Sequence, residues 1–248
     1  MENPAFDRTA LLVGREAMAR ITAARVIVFG IGGVGSWVTE CLVRTGVSHI
    51  TLVDSDRVAT TNINRQMPAT TATVGEIKTE AARRRLLEIN PEADVRIYTI
   101  FYDNKTAPLI DLTEYDYIVD AIDSLKDKAL LILNATRSGK KFFSSMGAAL
   151  KMDPAKVKTG EFWSVKGCPL ARALRQKFKK EKEYPARKFL CVYSDELLEN
   201  KGHTKETCEY KACINGSLCH ITAIFGMTLA GEIIKDICET KESVRVLY

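Results

Sequence analysis

The stretch that most constrains this chain is RVIVFG, residues 25–30, which runs straight into IGGVGS and then into the apolar-striped segment WVTECLVR. A β-branched apolar run that ends in glycine reads as a strand buried on both faces, and such a strand needs helices on either side of its sheet. The glycine spacing G-x-G-x-x-G suits the turn that follows. Gly30 permits a tight reversal, Gly32 lets a phosphate approach the backbone, and Gly35 lets the next helix pack close to the strand. Gly33 completes the loop. The amino end of that helix then favours an anion. A second strand, HITLVD at 49–54, ends in Asp54, placed to bind ribose hydroxyls.

The same two periodicities alternate through the first 150 residues. Helical patterns over 34–44, 76–89 and 126–138 separate strands over 25–30, 49–54, 94–100, 116–122 and 141–145. This alternation predicts an α/β fold with a doubly wound, mostly parallel sheet. After Gly147 the rhythm changes. A strand over 157–163, a helix over 169–180 opened by Pro169, a short strand over 190–193 and a polar, cysteine-bearing loop over 195–215 precede a long apolar helix over 216–238, which is expected to pack back on the sheet. The 248 residues therefore read as one domain, residues 1–150 forming a nucleotide-binding half and 151–248 a substrate-side half with a crossover-loop region.

Several function classes fall away. No apolar run reaches the roughly 18 residues of a membrane span; the nearest, 221–234, is broken by Gly226, Gly231 and Glu232. MENPAFDRTA is charged and has no apolar core, so no secretory signal is read and the expected location is the cytoplasm, with no membrane partner. Seven cysteines, an odd number, argue against a disulfide framework. The net charge of +5 is unevenly placed: residues 166–188 hold nine Lys/Arg against Glu181 and Glu183, which leaves the rest of the chain slightly acidic. A local basic segment points to one anionic partner surface.

A nicotinamide enzyme needs one acid at the ribose. The residues after Asp54 offer more: Asp56, Asn62, Arg65, Gln66, Lys78 in GEIK, and Asp123 in DAIDS beyond the fourth strand. Arg65 and Lys78 can neutralise phosphates. Asp123 can hold Mg²⁺ at the same carboxyl edge of the sheet. A hydride-transfer enzyme would leave Arg65, Lys78 and Asp123 idle, whereas a triphosphate site uses them all.

GIGGVGS, the pattern D-x-D-x-V-x-x-x-N-x-x-R-Q, the GEIK lysine and DAIDS together resemble the adenylating family of ubiquitin-activating enzymes and the ThiF/MoeB/HesA proteins, over roughly residues 6–238. The resemblance implies a Rossmann-like, ATP-binding sheet with a C-terminal packing helix, a homodimer, and attack of a carboxylate on the α-phosphate to give an acyl-adenylate and pyrophosphate. It implies that Gly30 and Gly32 line the phosphates, that Asp54 holds the ribose, and that Asn62, Arg65 and Lys78 contact the triphosphate. Asp123 then sits on Mg²⁺, Asp56 lies near the adenosine or supports the loop, and Arg8, before the first helix, reaches the neighbouring subunit's ATP.

Two branches of the family remain open. The segment SSMGAALKMDPAKVKTGEFWSVKGCPLARALRQKFKK and the later KFLCVYSDE resemble the branch that dehydrates threonylcarbamoyladenosine in tRNA to a cyclic form. The basic helix suits such a substrate: Leu170, Leu174 and Phe178 recur every four residues as a buried stripe, so Arg172, Arg175, Lys179 and Lys180 are expected to face outward to tRNA phosphates. The alternative is an adenylyltransferase for the Gly-Gly terminus of a ubiquitin-like sulfur carrier. Members of that branch usually carry two C-x-x-C pairs for structural zinc, and this chain has none; Cys208, Cys213 and Cys219 are spaced C-x4-C-x5-C. Closure of a ureido group on the activated carbonyl is intramolecular and needs no protein nucleophile. Cys191 and Cys213 are candidates for a covalent thioester or persulfide step, with a purely structural role the plainer reading of each, and the resemblance leaves room for sulfur-relay partners.

Overall fold

The protein was analysed as a computed structural model that describes residues 3–202 and 215–239. Its strands are β1 (Arg25–Phe29), β2 (His49–Val53), β3 (Asp94–Tyr98), β4 (Tyr117–Asp120), β5 (Lys141–Ser145), β6 (Val157–Glu161) and β7 (Leu190–Ser194). They form one sheet in the order β3-β2-β1-β4-β5-β7-β6. Neighbours are parallel from β3 through β7. Only β6 runs antiparallel, with Val157 opposite Ser194 and Glu161 opposite Leu190. The mostly parallel, doubly wound sheet expected from the sequence is present.

The helices are α1 (Asp7–Val13), α2 (Arg15–Ala23), α3 (Gly35–Thr45), α4 (Lys78–Ile89), α5 (Leu125–Arg137), α6 (Pro169–Glu181) and α7 (Cys219–Glu239). Alternate strand residues feed two cores. Val26, Val28, Ile50, Leu52 and Val119 pack with Val38 and Leu42 of α3, Leu86 of α4, and Phe225, Leu229 and Ile233 of α7. Ile27, Phe29, Val53 and Ile118 pack on the other face with Ile132 of α5 and Leu174 and Phe178 of α6. Helices therefore cover both faces, as a parallel sheet buried on both sides requires. No described helix is long and apolar enough to cross a membrane.

Two differences from the sequence reading have plain causes. The pair α1 and α2 was not foreseen, because α1 buries none of its seven residues and so carries no apolar stripe to read. Gly226, read only as an interruption, is a crossing point: a Cβ there would lie 2.5 Å from Val34 O and 2.8 Å from Trp37 Cβ. Glycine at this position lets α7 rest directly on the first turn of α3, behind the glycine loop.

Strand order reverses between β1 and β4. In an open parallel sheet the loops leaving the carboxyl ends of two such strands diverge to opposite faces, and the crevice between them is where ligands bind.

Candidate nucleotide site and basic helix

The glycine loop leaves β1 at that crevice. Gly30 has φ +86, and a Cβ on it would lie 2.8 Å from Ala121 O of the neighbouring loop. A Cβ on Gly35 would fall 1.8 Å from Gly30 O. The turn can therefore close only with glycine at both positions. No side chain caps the amino end of α3; Ser36 N and Trp37 N donate to Gly32 O and Val34 O, both at 3.1 Å, and the positive end of the helix dipole there favours an anion.

On the β2 side, Asp54 ties the loop down. Its Oδ2 accepts from Ile31 N at 2.7 Å and its Oδ1 from Asp56 N at 2.8 Å. Burial pushes this carboxyl above its ordinary value, against the opposing pull of the Lys78 ammonium. Each oxygen keeps a second lone pair, the complement of a ribose diol. Lys78 opens α4 and is only 5% exposed. Its Nζ donates to Asp56 Oδ2 at 2.8 Å, and Asp56 itself is 55% exposed. The lysine read as a phosphate contact is thus held by the second aspartate of the D-x-D pair.

The segment between them is pinned over α3. Ser36 Oγ accepts from Met67 N at 3.2 Å, and Arg65 O accepts from Trp37 Nε1 at 3.1 Å and from Thr222 Oγ1 at 3.4 Å. Asn62 spends its Oδ1 on Ala59 N, at 3.0 Å, to hold its own turn, so its amide nitrogen is the end suited to a phosphate. The Arg65 stem lies against Gly33, 3.4 Å from where a Cβ would sit, while its Nη1 donates to Thr61 O and Asn64 Oδ1, both at 2.9 Å. Gln66 is buried beside Gly32, with Nε2 3.8 Å from the Cβ position there and Oε1 lacking a hydrogen-bond partner.

On the β4 side the chemistry is partitioned differently. Asp120 and Lys128 are both 0% exposed and form an ion pair at 2.7 Å. Asp120 also accepts from Ser144 Oγ at 2.7 Å and from Ile122 N at 3.1 Å, while Lys128 Nζ donates to Ile122 O at 2.9 Å. Burial raises the Asp120 carboxyl, opposed by Lys128. The pair clamps the loop that leads to Asp123, which faces solvent. Sequence reasoning passed over Asp120, Lys128 and Ser144. The first aspartate of DAIDS was a visible signal; a lysine on a helical face gave none. For a divalent cation Asp123 offers one exposed carboxylate on the crevice loop, which suits a metal that takes its other ligands from phosphates and water. Asp120 has its oxygens committed inside the core.

Cys191 is not placed for nucleophilic attack. It sits opposite Ser144 in the β5–β7 register, is 0% exposed, and burial pushes its thiol well above the ordinary value. A sealed neutral thiol is a core side chain. Cys213, with Cys208, lies outside the described residues. Among the described residues no group of three or more His, Cys, Asp or Glu is arranged to hold a metal.

In α6 the buried positions are Ala171, Leu174 and Phe178, with Leu170 partly buried. Arg172, Lys179 and Lys180 are exposed, as expected. Arg175 is not. It lies at the margin of the stripe and turns inward, donating Nη1 to Phe162 O at 3.0 Å with its guanidinium carbon 5.8 Å from the Phe162 ring centroid. Its charge serves packing more than an outer surface. Arg8 lies within α1 and not ahead of the first helix. It is exposed on an element that leaves Leu11 85% and Leu12 87% exposed.

A doubly wound sheet with a glycine loop at the strand reversal, and acids and cations on both flanks, defines a nucleotide-binding α/β protein equipped for a triphosphate. The ThiF family model matches residues 6–247, and the chain belongs to the ThiF family. It is 35% identical over 246 residues to the tRNA threonylcarbamoyladenosine dehydratase of Haemophilus influenzae, covering 95% of this chain and 94% of that one. To the Bacillus subtilis protein of the same name it is 32% identical, covering 97% of each. Among solved structures it is similar to the Escherichia coli tRNA N6-threonylcarbamoyladenosine dehydratase in complex with ATP, with TM-score 0.84, 33% identity, and 94% and 93% of the two chains covered.

Proposed function

We propose that this protein is an ATP-dependent enzyme that dehydrates threonylcarbamoyladenosine in tRNA to its cyclic form through an acyl-adenylate. The observation that carries the reading is that the likeness to the dehydratases spans nearly the whole length of both chains, 95% of this one and 94% of the Haemophilus influenzae protein, with the fold shared to a similar extent. The site residues then take these roles. Asp54 holds the ribose, and the Gly30–Gly32 backbone and the amino end of α3 receive phosphates. Arg65 and Lys78 swing from Asn64 and Asp56 to the triphosphate, with Asn62 and Gln66 donating amide hydrogens. Asp123 holds Mg²⁺, which when bound spreads the charge of the departing pyrophosphate.

The threonyl carboxylate attacks the α-phosphorus and pyrophosphate leaves. The ureido group then attacks the activated carbonyl, giving up a proton, and AMP leaves with the former carboxylate oxygen. The nucleoside has then lost the elements of one water. Positive groups already aimed at the phosphates supply the electrostatic part of the rate, and ring closure draws on proximity.

The active form in this reading is a cytoplasmic homodimer in which Arg8 reaches the neighbouring subunit's ATP. The support is the coincidence of Arg8 with two nearly bare leucines on one short helix. Arg172, Lys179 and Lys180 take tRNA phosphates. The test is to incubate the protein with ATP, Mg²⁺ and tRNA bearing threonylcarbamoyladenosine, digest the tRNA, and weigh the nucleosides. An ATP-dependent loss of one water is expected. No mass change, with AMP released only on adding a small Gly-Gly-tailed carrier protein, overturns the reading in favour of sulfur-carrier activation.

A further inference from the structure

Helix α6 runs from Cys168, whose sulfur lies near Gly147 at the carboxyl edge of β5, toward the opposite edge of the sheet, where Phe162 packs against Phe178 and Phe189. At 1.5 Å per residue, Lys179 and Lys180 near the end of this helix lie roughly 15 Å along its axis from the carboxyl edge of the sheet, where the nucleotide crevice opens. At that far end two aromatic rings are left on the surface. Trp163 follows β6 and is 38% exposed; Tyr184 follows α6 and is 49% exposed. Their ring centroids are 6.2 Å apart at 45°, and Trp163 is braced edge-on by buried Phe162, 5.2 Å away.

Their approach is built by the backbone. Lys182 adopts a left-handed conformation at the end of α6, φ 53, and reverses the chain so that Tyr184 returns beside Trp163. On the other side, Trp163 N is held by Glu161 Oε2 at 3.0 Å. The surroundings are cationic. The two acids of the segment are already committed, Glu181 to Lys177 and Glu183 to Arg137. Lys179, Lys180, Lys182 and Lys188 stay exposed.

We propose that Trp163 and Tyr184 form a stacking platform for an unpaired base of the bound tRNA, at a second contact point remote from the reacting nucleoside. Two exposed rings, one braced from below, offer the π-surface on which single-stranded bases stack, and the lysines around them draw the flanking phosphates. A protein partner would meet a net positive rim, which is why RNA is the better occupant. The platform rests on the tRNA reading given above.

The test measures tRNA affinity and KM over a range of salt concentrations for wild type, Trp163→Ala/Tyr184→Ala, Trp163→Phe, and Lys179→Ala/Lys180→Ala. The double aromatic variant should bind tRNA about tenfold or more weakly, KM rising with kcat unchanged, because each stacked base contributes on that scale. Its salt slope should match wild type, since stacking releases no counterions. The lysine variant should flatten the slope by up to about two. Trp163→Phe should keep most of the affinity. Because the chain has only two tryptophans, subtracting the Trp163→Phe signal isolates Trp163 fluorescence, and tRNA should quench it. If wild type turns over tRNA while the aromatic variant keeps its KM within twofold and Trp163 is not quenched, the platform is overturned and the dehydratase reading stands. If wild type neither binds nor alters tRNA, both fall together.

Discussion

The two flanks of the glycine loop carry the same inventory and use it in opposite ways. Beyond β2 stand Asp54 and Asp56, and Lys78 begins the next helix; β4 ends in Asp120 with Asp123 beyond it, and Lys128 lies in the next helix. On the β2 flank the inner acid, Asp54, holds the loop backbone, and the lysine pairs with the outer acid, which is 55% exposed. On the β4 flank the lysine pairs with the inner acid, both at 0% exposure, and the outer acid faces solvent. Sealing a pair turns it into scaffold, because separating two buried charges leaves one of them unsolvated. When one partner of an ion pair stands in water, that partner rehydrates on separation, and the buried lysine needs only another anion beside it. The lysine of the open pair can therefore move to a phosphate, and the lysine of the sealed pair cannot.

The largest effect that would break this comparison is on folding. Lys128→Met should destabilise the protein by about 3–5 kcal/mol, since it leaves Asp120 as an uncompensated buried carboxylate. Adding Asp120→Asn should recover much of that loss. Denaturant midpoints decide it, and a Lys128→Met protein within 1 kcal/mol of wild type (about the value of an exposed pair) would erase the distinction between the flanks.

Lys78→Met sharpens the other side. Its stability cost should stay near about 1 kcal/mol, because Asp56 rehydrates readily. AMP formation should drop by about a hundredfold, the order found when one preorganised charge at a transition state is removed. Steady-state kinetics beside thermal melts separate the two effects, and a variant that loses stability but keeps its rate would make Lys78 a structural residue.

How much of this was legible in the sequence follows from the same contrast. The glycine loop, five parallel strands and their intervening helices were readable because burial on both faces forces apolar runs and the turn forces glycines. Asp54, Asp56, Arg65 and Lys78 were readable as a set because they crowd one stretch of chain. Asp120, Lys128 and Ser144 come from three elements, and nothing in the primary order announces that they meet. Arg175 and Arg172 sit three residues apart on one helix, and only the position of Phe162, itself beyond β6, turns one inward and leaves the other out. Pairing of Trp163 with Tyr184 likewise depends on a left-handed Lys182.

Asp54 gives a smaller effect with a definite sign. Its folded carboxyl is raised by burial, so it takes up a proton at a higher pH than an ordinary aspartate. Protonation removes acceptors that a ribose needs, so nucleotide affinity should begin to fall on acidification before the usual carboxylate range is reached. Stability moves the other way: a raised folded value means this group's contribution is full below the unfolded pKa and is lost as pH rises through the folded one. Titrating ATP affinity and melting temperature against pH should thus give opposite slopes from this one residue, and Asp54→Asn should flatten both. Asp120, whose carboxyl is also raised by burial, should add to the stability slope alone, since it contacts core groups and no ligand.

Cys191 is the smallest case and belongs to the sealed flank, since it sits opposite Ser144, which bonds Asp120. A catalytic cysteine must present a thiolate to its substrate, and this one is fully buried with its thiol held protonated by desolvation. Cys191→Ala should cost about 1 kcal/mol of stability as a modest core truncation and leave the dehydration rate within about twofold. In the native protein Cys191 should resist a thiol reagent that labels exposed Cys219 promptly, and it should react at the global unfolding rate. Rapid labelling of Cys191, or a large rate loss in a well-folded alanine variant, would mean that the wall between β5 and β7 opens during turnover and that the sealed flank takes part in the chemistry after all.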